Sequence, residues 1–250
     1  MNKTTKLTII LLSTLIYVFS VLLVQTGAEP VGATVSNIST VSQVATAGDR
    51  DDNGGTITTI NVNVSQQNYA WKAYVGNITG TLSLDDANGY TIYEWSLTQS
   101  NLSGEIYATR YSSLSWTDIA CANSTIIAAE QTAVNMSVTD GDNINATFSK
   151  EKHPTFIVAG ETLANSSCPV FYTYYNGTSQ ADAESSKFPE IIIQNSEERL
   201  VYVTKLEKDV AAYTVNSTGQ NHTYDFQFLV ADDDRAGQIT TYYFYAELDS

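Results

Sequence analysis

Eleven Asn-x-Ser/Thr triplets lie beyond residue 30, at Asn37, Asn63, Asn77, Asn101, Asn123, Asn135, Asn145, Asn165, Asn176, Asn216 and Asn221, and none has proline in the middle. Each is an acceptor for an oligosaccharide on its amide nitrogen, a chemistry of exported chains that requires the Asn to meet solvent. Chance would give roughly four such triplets in a chain this rich in Ser, Thr and Asn, so the excess needs a cause. The second candidate chemistry is that of sulfur. Cys121 and Cys168 are the only cysteines. An even count in an exported chain reads as one disulfide. The competing reading, metal-binding or redox thiols, lacks a Cys-x-x-Cys spacing, and the only histidines are His153 and His222.

A third candidate is a hard-cation loop. Asp49-Arg50-Asp51-Asp52-Asn53-Gly54 places carboxylate and amide oxygens at Asp49, Asp51 and Asn53, with a glycine for the sharp bend, as a calcium loop does at its start. The full loop would need Glu at its twelfth position, where Ile60 stands, so a ligand would have to come from elsewhere, such as Asp232 or Asp233. The competing reading is a solvated acidic turn. No other cofactor is expected. Catalytic signatures are missing: there is no Gly-x-Ser-x-Gly elbow, no phosphate-cradling glycine loop and no His-Glu-x-x-His. Paired carboxylates suited to glycoside hydrolysis are set in space rather than in sequence, so a secreted hydrolase ranks last and a non-enzymatic protein first.

The amino terminus fits the export reading. Lys3 and Lys6 precede an apolar run from Leu7 to Val24, followed by small-residue cut sites ending at Ala28 or Ala33. Residues 1–33 therefore read as a signal peptide or, because the run is long enough to approach a membrane span, an N-terminal hydrophobic helix acting as an anchor. The remainder is expected outside the cell or at its surface, touching a membrane only through an uncleaved N-terminal segment. A net charge of −15 argues against nucleic acid and anionic membrane surfaces as partners, since both would repel the chain.

Residues 34–55 read as a flexible leader, with Val35, Ile38, Val41 and Val44 spaced by three. The folded domain is expected over 56–250. Alternation and aromatic content predict strands at 70–75, 78–84, 90–95, 104–110, 132–138, 155–159, 170–175, 190–194, 199–206, 223–230 and 239–247. Polar turns such as Asp85-Asp86-Ala87-Asn88-Gly89 separate them. One short helix is expected over Ile126 to Gln131, capped near Asn123 and Ser124. The fold class is thus all-β, a single β-sandwich of immunoglobulin-like or jelly-roll-like type with one short helix. Trp71, Trp95 and Trp116 are expected in its core, while Tyr242, Tyr243 and Tyr245 are candidates for contacts, with Tyr243 and Tyr245 sharing a face.

The series Trp71-x-x-Tyr74-x-Gly76-Asn77-x-Thr79-Gly80, Tyr93-x-Trp95, Gly104-Glu105-Ile106-Tyr107-Ala108 and Trp116-x-x-Ile119-x-Cys121 resembles uncharacterised archaeal surface proteins, as do Phe226 to Val230 and Tyr242 to Leu248. The resemblance implies an archaeal-type envelope location with sequon glycosylation and brings no known activity. Together these features lead us to expect an N-glycosylated structural or adhesive surface component that associates with itself or with other envelope proteins. One form of it is a filament subunit in which the leader enters an open sheet edge of the next copy. The alternative is an extracellular carbohydrate- or calcium-dependent binding module. Sequon-free stretches, notably 199–206 and 239–247, are where an interface is expected.

Overall fold

The computed structural model describes residues 29–36, 54, 57, 68–96, 103–207, 210–215, 220–233, 235 and 238–248. The N-terminal hydrophobic segment and most of the leader lie outside them.

The described residues are dominated by antiparallel strands with two helices, an all-β architecture. In chain order the elements are β1 Val31–Gly32, β2 Trp71–Gly76, β3 Thr81–Asp85, β4 Thr91–Ser96, β5 Gly104–Thr109, β6 Ala120–Cys121, α1 Ser124–Ala133 and α2 Ile144–Thr147. There follow β7 Phe156–Val158, β8 Glu161–Leu163, β9 Val170–Tyr172, β10 Pro189–Gln194, β11 Leu200–Lys205, β12 Val210–Val215, β13 Gln220–Tyr224, β14 Phe226–Ala231 and β15 Tyr243–Leu248. The main sheet runs β1-β15-β5-β11-β10-β6, and β9 pairs with the first half of β10 on the side where β6 pairs with its end. The other strands pair as β2 with β14, β3 with β4, β7 with β8 and β12 with β13.

Both faces of the main sheet are covered, which explains its unbroken apolar runs. In Ile191-Ile192-Ile193 the pleat sends Ile192 to one face and its neighbours to the other, and Leu200-Val201-Tyr202-Val203 divides the same way. The first face, with Ile106, Ile192 and Tyr202, packs against Phe228 and Val230 of β14, Tyr74 of β2, and Ile126 and Ile127 of α1. The second, with Tyr107, Val201 and Val203, packs against Trp116 and against Phe156 and Val158 of the β7–β8 hairpin. Removing one such fully buried aliphatic chain costs about 2–5 kcal/mol, so these clusters hold the strands in register.

The expected helix is present and two residues longer at each end, spanning Ser124–Ala133. Asn123 caps it, its Oδ1 accepting from the backbone N–H of Thr125 at 2.9 Å and Ile126 at 3.1 Å. Its far end overturns the expected strand at 132–138. Asn135 adopts a left-handed φ of 55°, and Val134 and Met136 donate back to the carbonyls of Glu130 and Gln131 at 3.1 and 2.9 Å, a helix stop of the kind Asn and Gly provide. The expected strand at 223–230 is two, β13 and β14, broken at Asp225. That residue is buried, takes the Gly76 carbonyl with its N–H at 2.9 Å and accepts from Ile78 N–H at 3.0 Å, so it cannot continue either ladder.

Candidate functional site

The β15 edge of the main sheet is the place where the residues just ahead of the leader meet the domain. β1 lies antiparallel on β15, with Val31 opposite Ala246 and Gly32 opposite Tyr245, and Ala33 N–H donates to the Phe244 carbonyl at 2.9 Å. These residues fall within the span read as signal or anchor. Pro30 is buried, whereas Val31 is 67% exposed and a Cβ built on Gly32 would meet nothing within 4 Å, so the outer side of β1 is open.

Beneath this edge the sequence places charge where alternation alone would suggest solvent. Glu247 of β15 stands opposite Glu105 of β5, which stands opposite Lys205 of β11. The Lys205 Nζ lies 3.4 Å from Glu105 Oε1. Tyr107 O–H and Ala159 N–H donate to Glu247 Oε2 at 2.8 and 2.9 Å. Both carboxyls are closed off from solvent, 1% and 7% exposed. A ring cluster seals them, with Trp116 edge-on to Tyr107 at 5.1 Å and to Tyr245 at 5.5 Å between centroids. Engaged and enclosed in this way, the row fixes β15 to β5 rather than presenting an acid and a base to a substrate.

Six sequon asparagines have described side chains, Asn77, Asn123, Asn135, Asn145, Asn165 and Asn176, and all six are exposed. Asn123 caps α1 through Oδ1, which leaves its amide nitrogen, the atom a glycan would take, outside the cap. Asn135 and Asn165 donate from Nδ2 to Asp233 at 2.9 Å and Glu184 at 2.8 Å. Asn37, Asn63, Asn101 and Asn216 lie outside the described residues, and Asn221 is placed in β13 by its backbone only.

Cys121 and Cys168 are joined, with an S–S distance of 1.98 Å and Cα atoms 5.1 Å apart, tying β6 to the loop before β9. His153 supports that loop. It is fully buried, its Nε2 accepts from Cys168 N–H at 2.9 Å and its Nδ1 sits 2.7 Å from the Pro154 carbonyl, a pairing that fixes the neutral tautomer with hydrogen on Nδ1. Burial pulls its pKa below the usual histidine value. His153 thus carries structure at the disulfide rather than an exposed base.

Asp49, Asp51 and Asn53 of the calcium reading lie outside the described residues. The carboxylates it would borrow already have protein partners: Asp232 pairs with Lys72 at 2.9 Å, and Asp233 with Arg235 at 2.7 Å. Among the described residues no three acidic, His or Cys side chains are grouped to hold a metal. The aromatic expectations divide. Trp116 is buried, Trp71 is half-buried with its Nε1–H donating to the Asp142 carbonyl at 2.8 Å, and the Trp95 side chain is outside the described set. Tyr243 is exposed, but Tyr242 is buried, its hydroxyl donating to the Ala231 carbonyl at 2.6 Å, so it is withdrawn as a contact residue. The stretch 199–206 is withdrawn as an interface too, because β11 lies in the middle of the sheet and its first five residues are buried. It lacks sequons because it lacks solvent.

Two further buried acids escaped the sequence reading. Glu130 on α1 receives Arg110 in a two-bond fork, both bonds at 2.7 Å. Glu190 in β10 is fully buried, with one oxygen accepting Leu229 N–H at 2.8 Å and the other unpartnered, and burial holds its pKa well above the ordinary carboxyl value. The signal for Glu190 was its place directly before three isoleucines. An open groove of about 390 Å³ runs between residues 148–152 and 166–169, beside the disulfide. Compared with known proteins, the chain matches no family model, no curated protein and no solved structure.

Proposed function

We propose that this chain is a non-enzymatic, N-glycosylated structural component of an archaeal-type cell surface, exported and built into filaments by strand addition. The observation that carries the reading is the β1–β15 pairing, in which residues 31–33, directly ahead of the leader, already lie on the edge of the main sheet. In the assembled form the leader of one copy lies along β15 of the next, replacing and extending the short contact that β1 makes within its own molecule. Main-chain hydrogen bonds supply the affinity in such an addition, and side chains alternately facing the acceptor supply the register. The exposure of every sequon asparagine with a described side chain supports the glycan coat. Sugars at Asn123, Asn135 and Asn145 would surround the helices, and those at Asn165 and Asn176 the loops about β9, while β15 itself carries no acceptor. In this reading the small β2–β14 sheet is the second layer of a sandwich.

Deletion of 34–48 from the mature protein tests the proposal. The full chain is expected to elute at rising mass as its concentration increases, and the deleted chain as a monomer. Identical sizing profiles for the two would remove the leader from any role in assembly.

A further inference from the structure

The N-terminal span 1–33 offers two small-residue cut sites, Thr26-Gly27-Ala28 and Val31-Gly32-Ala33, and both satisfy the sequence pattern of an export peptidase. The second of them lies among the described residues and is built into the sheet. Pro30 is buried, Val31 and Gly32 pair with Ala246 and Tyr245, and Ala33 N–H bonds the Phe244 carbonyl. A cut after Ala33 would delete β1 entirely and leave the backbone N–H and C=O groups of β15 unpaired along a bare edge, the arrangement that exported β-proteins avoid before assembly. Gly32 and Ala33 are also held in the sheet once the domain folds, so scission there requires β1 to be stripped away first. Ala28 lies outside the described residues, among which Pro30 is the first that is buried.

We propose that the exported protein is processed at the Ala28–Glu29 bond, so that residues 29–33 stay with the mature chain as the strand that closes the β15 edge. The step is hydrolysis: water adds across the amide, Ala28 leaves on the released peptide as a free carboxylate, and Glu29 gains a free ammonium. The inference rests on the export reading above. It also gives the mature subunit a short, replaceable edge strand until a longer one arrives.

The test is N-terminal sequencing and intact mass of native, deglycosylated protein, with each run also scored for glycan. A glycosylated chain beginning at Glu29 is expected. A glycosylated chain beginning at Thr34, or an uncut one beginning at Met1, overturns the inference while leaving the export reading intact. An unglycosylated intracellular chain overturns both. Two variants sharpen the result. Ala28→Lys is expected to abolish the Glu29 terminus, whereas Ala33→Lys, at an exposed position whose backbone bond is retained, is expected to leave it unchanged. The reverse pattern would place the cut at Ala33.

Discussion

Replacing Glu190 by Gln should stabilise the protein at neutral pH and do nothing near pH 4. Glu190 is fully buried, its only partner is the Leu229 N–H at 2.8 Å, and no cation pairs with it among the described residues. Burial therefore raises its native pKa well above the ordinary value, toward a protonated carboxyl. In the unfolded chain the same group ionises near about pH 4.3. Below that pH both states hold the proton and the group adds no pH dependence. Above it the native state keeps a proton that the unfolded state releases, so stability falls by about 1.4 kcal/mol per pH unit until the native pKa is reached. Gln has the same shape and no charge, keeps an acceptor for Leu229 N–H and leaves one polar atom unpaired, as a protonated Glu does. Glu190→Gln is thus expected to be more stable than wild type at pH 7, with the gap shrinking to near zero by pH 4. Urea unfolding followed by tryptophan fluorescence from pH 4 to 8 reads the sign and the pH dependence of the gap. A Gln variant no more stable than wild type at pH 7, or a gap that stays constant with pH, would refute the reasoning.

Three further outcomes are expected. Arg110→Ala strands the Glu130 carboxylate, 4% exposed, without its two-bond partner and should cost about 3 kcal/mol in urea unfolding, most of it recovered when Glu130→Leu is added. Gly104→Ala should lower the melting temperature and weaken the β5–β15 pairing by about 2 kcal/mol or more. Its φ is +132° and the new methyl carbon would fall 2.1 Å from the Glu247 carbonyl oxygen. His153, whose pKa burial depresses, contributes its full stability above about pH 6.5 and loses it on acidification, because a second ring proton would confront Cys168 N–H. The stability advantage of wild type over His153→Gln should therefore shrink as pH drops below that value. A gap independent of pH would contradict it.

The legible parts of the sequence were those in which one residue type has one physical use. Asn123 before a run of helix formers announced the start of α1, and Cys121 with Cys168 announced the disulfide. The misread strand at 132–138 has a clear cause. Val134 and Met136 are buried on either side of exposed Asn135, so a helix stop imitates the alternation of a strand over three residues. Alternation separates Tyr242 from the face shared by Tyr243 and Tyr245, but it cannot say that Tyr242 lies in the core with β14 and α1. Glu105 and Glu247 were invisible as a pair because only the cross-strand register brings residues so far apart in sequence opposite each other. The absence of sequons in 199–206 carried two physical meanings, an interface or a buried strand, and only the position of β11 in the sheet separates them.

The central claim is that copies of this chain join by a strand laid along β15. Electron cryo-microscopy of the native surface material tests it most directly. The account predicts filaments in which each β15 edge is filled by the leader of a neighbouring copy, with glycan density rising from Asn123, Asn135, Asn145, Asn165 and Asn176. Monodisperse single particles at every concentration, or filaments whose β15 edge pairs only with its own β1, would contradict it.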